Sequence, residues 1–220
     1  HFLIYINELL KLPLRGIASA FADDTVLIVS ADSEDELISA LNSDLQRISL
    51  WFSQHGLRVN AAKSELVVFG FQNRYVRDLR GKVFLHEREC GALCSCPALV
   101  QVEKHRYLGV WVDQCLTWRE HCLVLRAKLS KIVYLIRYLS GLVSGVHLRR
   151  FYVAVFEGTL RFGIAVWGGG AATCWIRPLL MLQKRAARLV AGERWDAPSQ
   201  PVFRSLGIFT HVEKTYRGQW

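Results

Sequence analysis

An apolar stretch running from Ile17 to Val29 is split near its middle by two adjacent carboxylates, Asp23 and Asp24. Unpartnered charges are costly inside a sheet, so the chain has to turn there. Ile17 to Phe21 and Thr25 to Ser30 then become the arms of a β-hairpin. Asp is a common turn residue, and on the dipeptide alone a plain turn accounts for the pair. Side-by-side carboxylates are also what a hard divalent cation takes. Both readings stand at this point.

The rest of the first half fits a helix laid on a sheet. Ser33 with Glu36 three residues on forms a capping box. Leu37, Leu41, Leu45, Ile48 and Phe52 follow at helical spacing, and Gly56 is a natural stop. Phe2 to Leu10 reads as the end of a buried helix, broken at Leu12-Pro13-Leu14-Arg15-Gly16. Ser64 to Phe71 reads as a strand, Val83–Leu85 and Leu99–Val102 as a hairpin, and Arg106–Val112 as a strand with Gly109 inside it. After Trp118 the period becomes helical. Expected helices cover Leu123–Leu139, Leu148–Ile164 and Trp175–Val190, and Pro198–Trp220 is expected to be irregular. An antiparallel sheet with a packed helix, then a helical bundle, is an α+β arrangement. The boundary is expected near residue 118.

Charge follows that division. Residues 1–118 hold 12 Lys and Arg against 14 Asp and Glu, whereas residues 119–194 hold 13 against 3. A local excess of +10 favours a polyanionic partner on the helical part. No apolar run approaches the ~18 residues of a membrane span. The chain starts at His1 and its single methionine is Met181, so a piece of a longer reading frame is expected. Six cysteines without a secretory signal are expected to be reduced thiols. Cys90-x3-Cys94-x-Cys96 could suggest zinc, but the matching second ligand pair of a structural zinc site is absent.

Five segments, in this order, resemble the reverse transcriptases of non-LTR (LINE-type) retrotransposons. Phe2-Leu3-Ile4-Tyr5-Ile6-Asn7-Glu8-Leu9 is similar to the helix before the catalytic hairpin. Phe21-Ala22-Asp23-Asp24 is similar to the F/Y-x-D-D catalytic motif. Leu57-x-x-Asn60-x-x-Lys63-Ser64 is similar to the motif after the palm helix. Tyr107-Leu108-Gly109-Val110, with Leu116-x-Trp118 and His121, resembles the primer-grip strand and the entry to the thumb. Arg161-Phe162-Gly163, Val166-Trp167-Gly168 and Gln183-Lys184-Arg185-Ala186-Ala187-Arg188 resemble thumb helices. Each segment alone is weak, and their order across nearly the whole chain carries the resemblance.

The resemblance implies a partial polymerase palm over residues 1–118, a basic α-helical thumb over 119–194 and a post-thumb segment over 195–220. It implies template-directed nucleotidyl transfer with two Mg²⁺ ions, Mn²⁺ being a substitute. Asp23 would be a direct metal ligand, Asp24 the neighbouring carboxylate, and Lys63 the cation near the triphosphate and departing pyrophosphate. Phe21, Ala22, Tyr107, Leu108 and Gly109 would hold the primer. Arg126, Lys128, Lys131, Lys184, Arg185 and Arg188 would hold nucleic-acid phosphates. The implied partners are an RNA template, a DNA primer, deoxynucleoside triphosphates and the upstream part of the same polyprotein, with no membrane. The family's fingers and first catalytic carboxylate have no counterpart in these residues, so the chain alone is expected to be inactive. A non-enzymatic nucleic-acid-binding remnant and a group II intron or retron type of enzyme are the competing readings.

Overall fold

The computed structural model describes residues 6–70, 76–86 and 96–208. Two compact units, His1–Glu103 and Lys104–Trp220, make up the chain. The hairpin that precedes residue 118 therefore belongs by its contacts with the helices that follow it.

In the first unit, β1 (Ile17–Phe21) and β2 (Asp24–Ile28) pair antiparallel, with Ile17 opposite Ile28 and Phe21 opposite Asp24. Helix α1 (Glu34–Gln54) opens where the capping box places it. The Ser33 hydroxyl accepts the Glu36 N–H at 3.2 Å, and Glu34, Asp35 and Glu36 face the positive end of the helix dipole. Its buried stripe feeds two cores. One gathers Leu41, Val68, Leu79, Val83, Leu85 and Leu99. The other gathers Ile6, Leu9, Ile48 and Trp51.

Three expectations for this unit change. The strand expected over Ser64–Phe71 shrinks to β3 (Glu65–Leu66), paired in parallel with β4 (Val100–Gln101). The hairpin expected around residues 83–102 leaves one antiparallel bridge, Phe84 to Ala98. Amide side chains bind the backbone around these segments. Asn42 donates to the Lys82 carbonyl and accepts the Phe84 N–H, and Gln101 accepts the Leu79 N–H and donates to the Arg77 carbonyl. The helix read over Phe2–Leu10 lies partly outside the described residues, and its described end finishes as a 3₁₀ turn, Leu9–Lys11. Cys90 and Cys94 also lie outside them.

The second unit begins with β5 (Lys104–Tyr107) and β6 (Val110–Asp113), an antiparallel hairpin where the sequence suggests one strand. Leu108 and Gly109 form its two-residue loop with φ of 46° and 87°. Positive φ at both positions is the I′ pattern that suits the twist of paired strands. The Asp113 carboxylate then accepts the N–H groups of Cys115, Thr117 and Trp118 and the Thr117 hydroxyl, which fixes the entry to α2 (Arg119–Leu139).

Helix α3 (Gly145–Phe151) runs through a π-helical turn, Tyr152–Glu157, into α4 (Gly158–Arg161). The single helix expected over Leu148–Ile164 ends instead at Phe162-Gly163, where Gly163 takes φ 63°. The short α5 (Ile164–Trp167) follows. Helix α6 (Thr173–Ala191) packs along α2, and Gly192 at φ 71° closes it. One core joins Trp118, Leu129, Ile136, Tyr152, Phe156, Trp167, Leu179 and their neighbours. The segment read as irregular contains α7 (Ser199–Leu206), whose Val202 and Phe203 join that core. The Arg149 guanidinium donates to the Leu206 carbonyl at its end. Pro198 just before it and Pro201 inside it hide that helix from periodicity. No described helix is long and apolar enough to cross a membrane.

Candidate active site

The β1–β2 hairpin presents Asp23 and Asp24 at its tip. The loop is two residues long, Ala22 and Asp23, and Asp24 is the first residue of β2. Ala22 takes φ 53°, a conformation that glycine adopts freely and other residues adopt at a cost. The alternation of the strands separates two faces. Ala18, Ala20 and Leu27 turn inward, and Ala20 and Leu27 pack on the Ile48–Trp51 core. Ile17, Ser19 and Phe21 turn outward, with Phe21 63% exposed. Phe21, Ala22, Asp23 and Asp24 thus form one exposed tip. Among the described residues, no hydrogen bond or ion pair engages either Asp side chain.

The base of the hairpin is fixed by a residue the sequence reading passed over. Asp44 lies fully buried on α1, and its two oxygens accept the N–H groups of Arg15 at 3.0 Å and Gly16 at 2.8 Å. The Arg47 guanidinium donates to the Pro13 carbonyl on the same approach. Gly16 has to be a glycine. A Cβ there would sit 2.5 Å from the Ile28 carbonyl oxygen and 2.7 Å from Val29 Cγ2. A carboxylate on the Leu41–Ile48 stripe of an amphipathic helix was the sequence signal for Asp44, because such a group is buried only when its bonds are met.

Lys63 ends a 3₁₀ turn, Ala61–Lys63, and is exposed. The turn is closed by the Asn60 carbonyl, which accepts the Lys63 N–H at 3.0 Å and the Ser64 hydroxyl at 2.9 Å; the Asn60 side chain does not cap it. No ion pair among the described residues joins Lys63 to Asp23 or Asp24.

Two unpaired, exposed carboxylates on a braced turn suit part of the oxygen shell of a hard divalent ion. A full shell needs more. No group of three His, Cys, Asp or Glu side chains is assembled among the described residues. The donor set therefore fits an ion shared with other oxygen ligands.

The remaining expected contact residues lie in the second unit. Tyr107, Leu108 and Gly109 occupy the β5–β6 turn, and a Cβ on Gly109 would meet the Phe162 ring at 3.1 Å. His121 is buried against Trp167 with ring centroids 5.2 Å apart, and its Nδ1 accepts the Trp111 N–H at 3.4 Å. Burial holds its pKa below the usual value, which favours the neutral ring. Arg126, Lys128 and Lys131 are exposed on α2. On α6, Arg185 is exposed, whereas Lys184 and Arg188 are half-buried and Arg188 Nε donates to the Ala197 carbonyl at 2.7 Å.

Residues 1–112 match the profile of a family described as "Reverse transcriptase (RNA-dependent DNA polymerase)". Curated relatives extend the likeness into the helices. The probable RNA-directed DNA polymerase from transposon X-element of Drosophila melanogaster is 24% identical over 200 residues, 89% of this chain and 20% of that protein. The probable RNA-directed DNA polymerase from transposon BS of the same species is 23% identical over 208 residues, 93% of this chain and 22% of its own length. The RNA-directed DNA polymerase from mobile element jockey of Drosophila funebris is 25% identical over 183 residues, 81% and 18%. The chain thus spans about a fifth of the length of these relatives. No solved structure matches it.

Proposed function

The chain belongs to the reverse transcriptase family, and from that premise we propose that it carries the second catalytic segment of a non-LTR (LINE-type) RNA-directed DNA polymerase. In this reading residues 1–118 belong to a polymerase palm, 119–194 to a basic helical thumb and 195–220 to a segment that follows the thumb. The observation that carries the reading is the braced hairpin with Asp23 and Asp24 exposed and unpartnered at its tip.

Primer extension joins a 3′-hydroxyl to the α-phosphate of a deoxynucleoside triphosphate and releases pyrophosphate. Two Mg²⁺ ions, when bound, would stabilise charge on the attacking and leaving oxygens. Asp23 is assigned as a direct ligand, and Asp24 as its neighbour toward the primer end. The bonds from Asp44 fix the base of the hairpin that carries both carboxylates, so little reorganisation is needed as charge develops. Phe21 and Ala22 offer an apolar shelf to the primer terminus. Lys63 neutralises triphosphate charge and can hand a proton to the leaving pyrophosphate. Tyr107, Leu108 and Gly109 grip the primer backbone. Arg126, Lys128, Lys131, Lys184, Arg185 and Arg188 are assigned to phosphates, contacts that position nucleic acid without reading sequence.

The 220 residues by themselves are proposed not to extend a primer, because the described residues supply two carboxylates at this tip and no third ligand. The test joins this chain to the upstream segment of its reading frame and compares Asp23→Asn with the parent. The assay uses poly(rA)/oligo(dT), dTTP and Mg²⁺. Extension is expected to fall at least tenfold, about 1.4 kcal/mol, with template–primer affinity within about twofold. A variant that extends as the parent does removes Asp23 from catalysis. If the joined parent is also inactive but binds template–primer, the nucleic-acid-binding reading replaces the enzymatic one.

A further inference from the structure

A groove of about 920 Å³ lies between α2 and α6 in the second unit, lined among others by Arg126, Arg137, Arg185, Arg188, Glu193 and Trp195. Its walls are two facing helical stripes. Arg126 and Arg137 are 11 residues apart, three turns and about 16 Å along α2. Arg185 and Arg188 stand three apart on α6 and share a face. Among the described residues, the guanidinium groups of Arg126, Arg137 and Arg185 have no hydrogen bond or ion pair. Four guanidinium groups against the single Glu193 carboxylate leave the groove with an excess of positive charge, which an anionic occupant neutralises.

Trp195 indicates what kind of anion. Its indole is 84% exposed, yet the loop that carries it is firmly built. Glu193 N–H donates to the Arg188 carbonyl at 2.9 Å and Ala197 N–H to the Arg194 carbonyl at 3.1 Å. Arg188 Nε donates to the Ala197 carbonyl at 2.7 Å, and Arg194 pairs with Asp196 at 3.2 Å. A large flat ring is thus held out at the groove on a short fixed turn. Guanidinium forks match phosphate oxygens, and an exposed indole gives any base a stacking surface. Stacking needs a base whose face is free, which a duplex offers only at its ends.

We propose that this groove binds a single-stranded polynucleotide, with phosphates on Arg126, Arg137 and Arg185 and one base stacked on Trp195. The proposal rests on the reading of this unit as nucleic-acid-binding and adds Arg137 and Trp195 to it. Its volume falls in the ~300–1,000 Å³ range of ligand sites, enough for a few nucleotides.

The experiment measures binding of the 220-residue chain to fluorescein-labelled 12-nucleotide single strands, RNA and DNA, and to a 12-base-pair duplex, by anisotropy over a range of salt. Trp195→Ala is expected to weaken both single strands at least fivefold, the low end of what one stacked base contributes, and to change duplex binding less than twofold. Trp195→Phe is expected to restore most of the loss. Arg126→Ala with Arg137→Ala is expected to make the log–log salt slope shallower by about 1.4, at ~0.7 per single-strand contact. A difference between RNA and DNA of more than threefold identifies the preferred strand. Equal losses on single strands and duplex, an unchanged Trp195→Ala affinity, or displacement by poly-L-glutamate as readily as by an oligonucleotide each overturn the proposal. Binding to duplex alone overturns it and leaves the thumb reading standing, whereas no binding at all overturns both. Circular dichroism confirms that each variant is folded, which the exposure of these side chains favours.

Discussion

The hairpin of the first unit and the helices of the second are held by different forces. Ala20 and Leu27 give the hairpin a thin apolar footing, and the buried Asp44 carboxylate fixes its base through two backbone N–H groups. The helices enclose one continuous core, with Leu129, Ile136, Tyr152, Phe156 and Trp167 almost fully buried. A tip that must show charge to solvent cannot be stabilised by burying itself. Its position is set from below, by directional bonds with defined partners. A surface that offers cationic side chains along helices needs only a packed interior behind it. In the proposed reading, catalytic precision and structural strength reside in separate residues, and substitutions should separate them.

The largest effect should come from Asp23. In the chain joined to its upstream segment, Asp23→Ala is expected to reduce extension about a thousandfold, ~4 kcal/mol of transition-state stabilisation. The melting temperature of the 220-residue chain should stay within about 1 °C, because the side chain is exposed and unpartnered. A comparable loss of stability would mean that the tip is structural. Trp167→Ala should do the reverse. Removing that buried ring, whose Nε1 donates to the Phe162 carbonyl at 3.0 Å, should destabilise the helical unit by about 3–5 kcal/mol in urea titration. The first unit should unfold as before.

Asp44→Ala tests the link between the two behaviours. It strands the N–H groups of Arg15 and Gly16, at about 1–3 kcal/mol for a buried donor left unpaired. It should lower stability of the first unit and extension by the joined enzyme together. Full activity with lost stability would separate the brace from catalysis. Ser33→Ala, which removes only the α1 cap, should cost about 1 kcal/mol and leave the Asp44 contacts intact, as hydrogen exchange at Arg15 and Gly16 can show.

The smallest effect concerns Glu157 in the helical core. Burial raises its pKa, against the opposing pull of Arg161 at 3.5 Å and of Arg149. A raised pKa means that the folded state binds the proton more tightly than the unfolded one, so the charged form costs stability as pH rises above the usual carboxylate range. Glu157→Gln should therefore raise the melting temperature at neutral pH, and the gain should fade as pH drops from the raised folded value toward ~4.3, the unfolded value, below which it is gone. A gain that persists unchanged at pH 3 would show that the pKa is not the cause.

The sequence determined the local and periodic features. Asp23-Asp24 between apolar runs gave the hairpin, Ser33 with Glu36 the start of α1, and the helical period after Trp118 gave α2 and α6. Those signals reside within a few turns of chain, where spacing reports structure directly. The family motif at Phe21–Asp24 likewise drew attention to the exposed tip. Tertiary structure decided the rest. Asn42 and Gln101 met backbone groups far along the chain, at Lys82 and Phe84 and at Arg77 and Leu79. Leu108 and Gly109 folded an apparent strand into a hairpin, through φ values that residue type only hints at. The short α7 exists because Val202 and Phe203 find a core to enter. Asp44 became the brace of the hairpin, and Arg126, Arg137, Arg185 and Trp195 came to line one groove, only because distant residues met. Periodicity records which face a residue occupies, and only the folded chain records what that face meets.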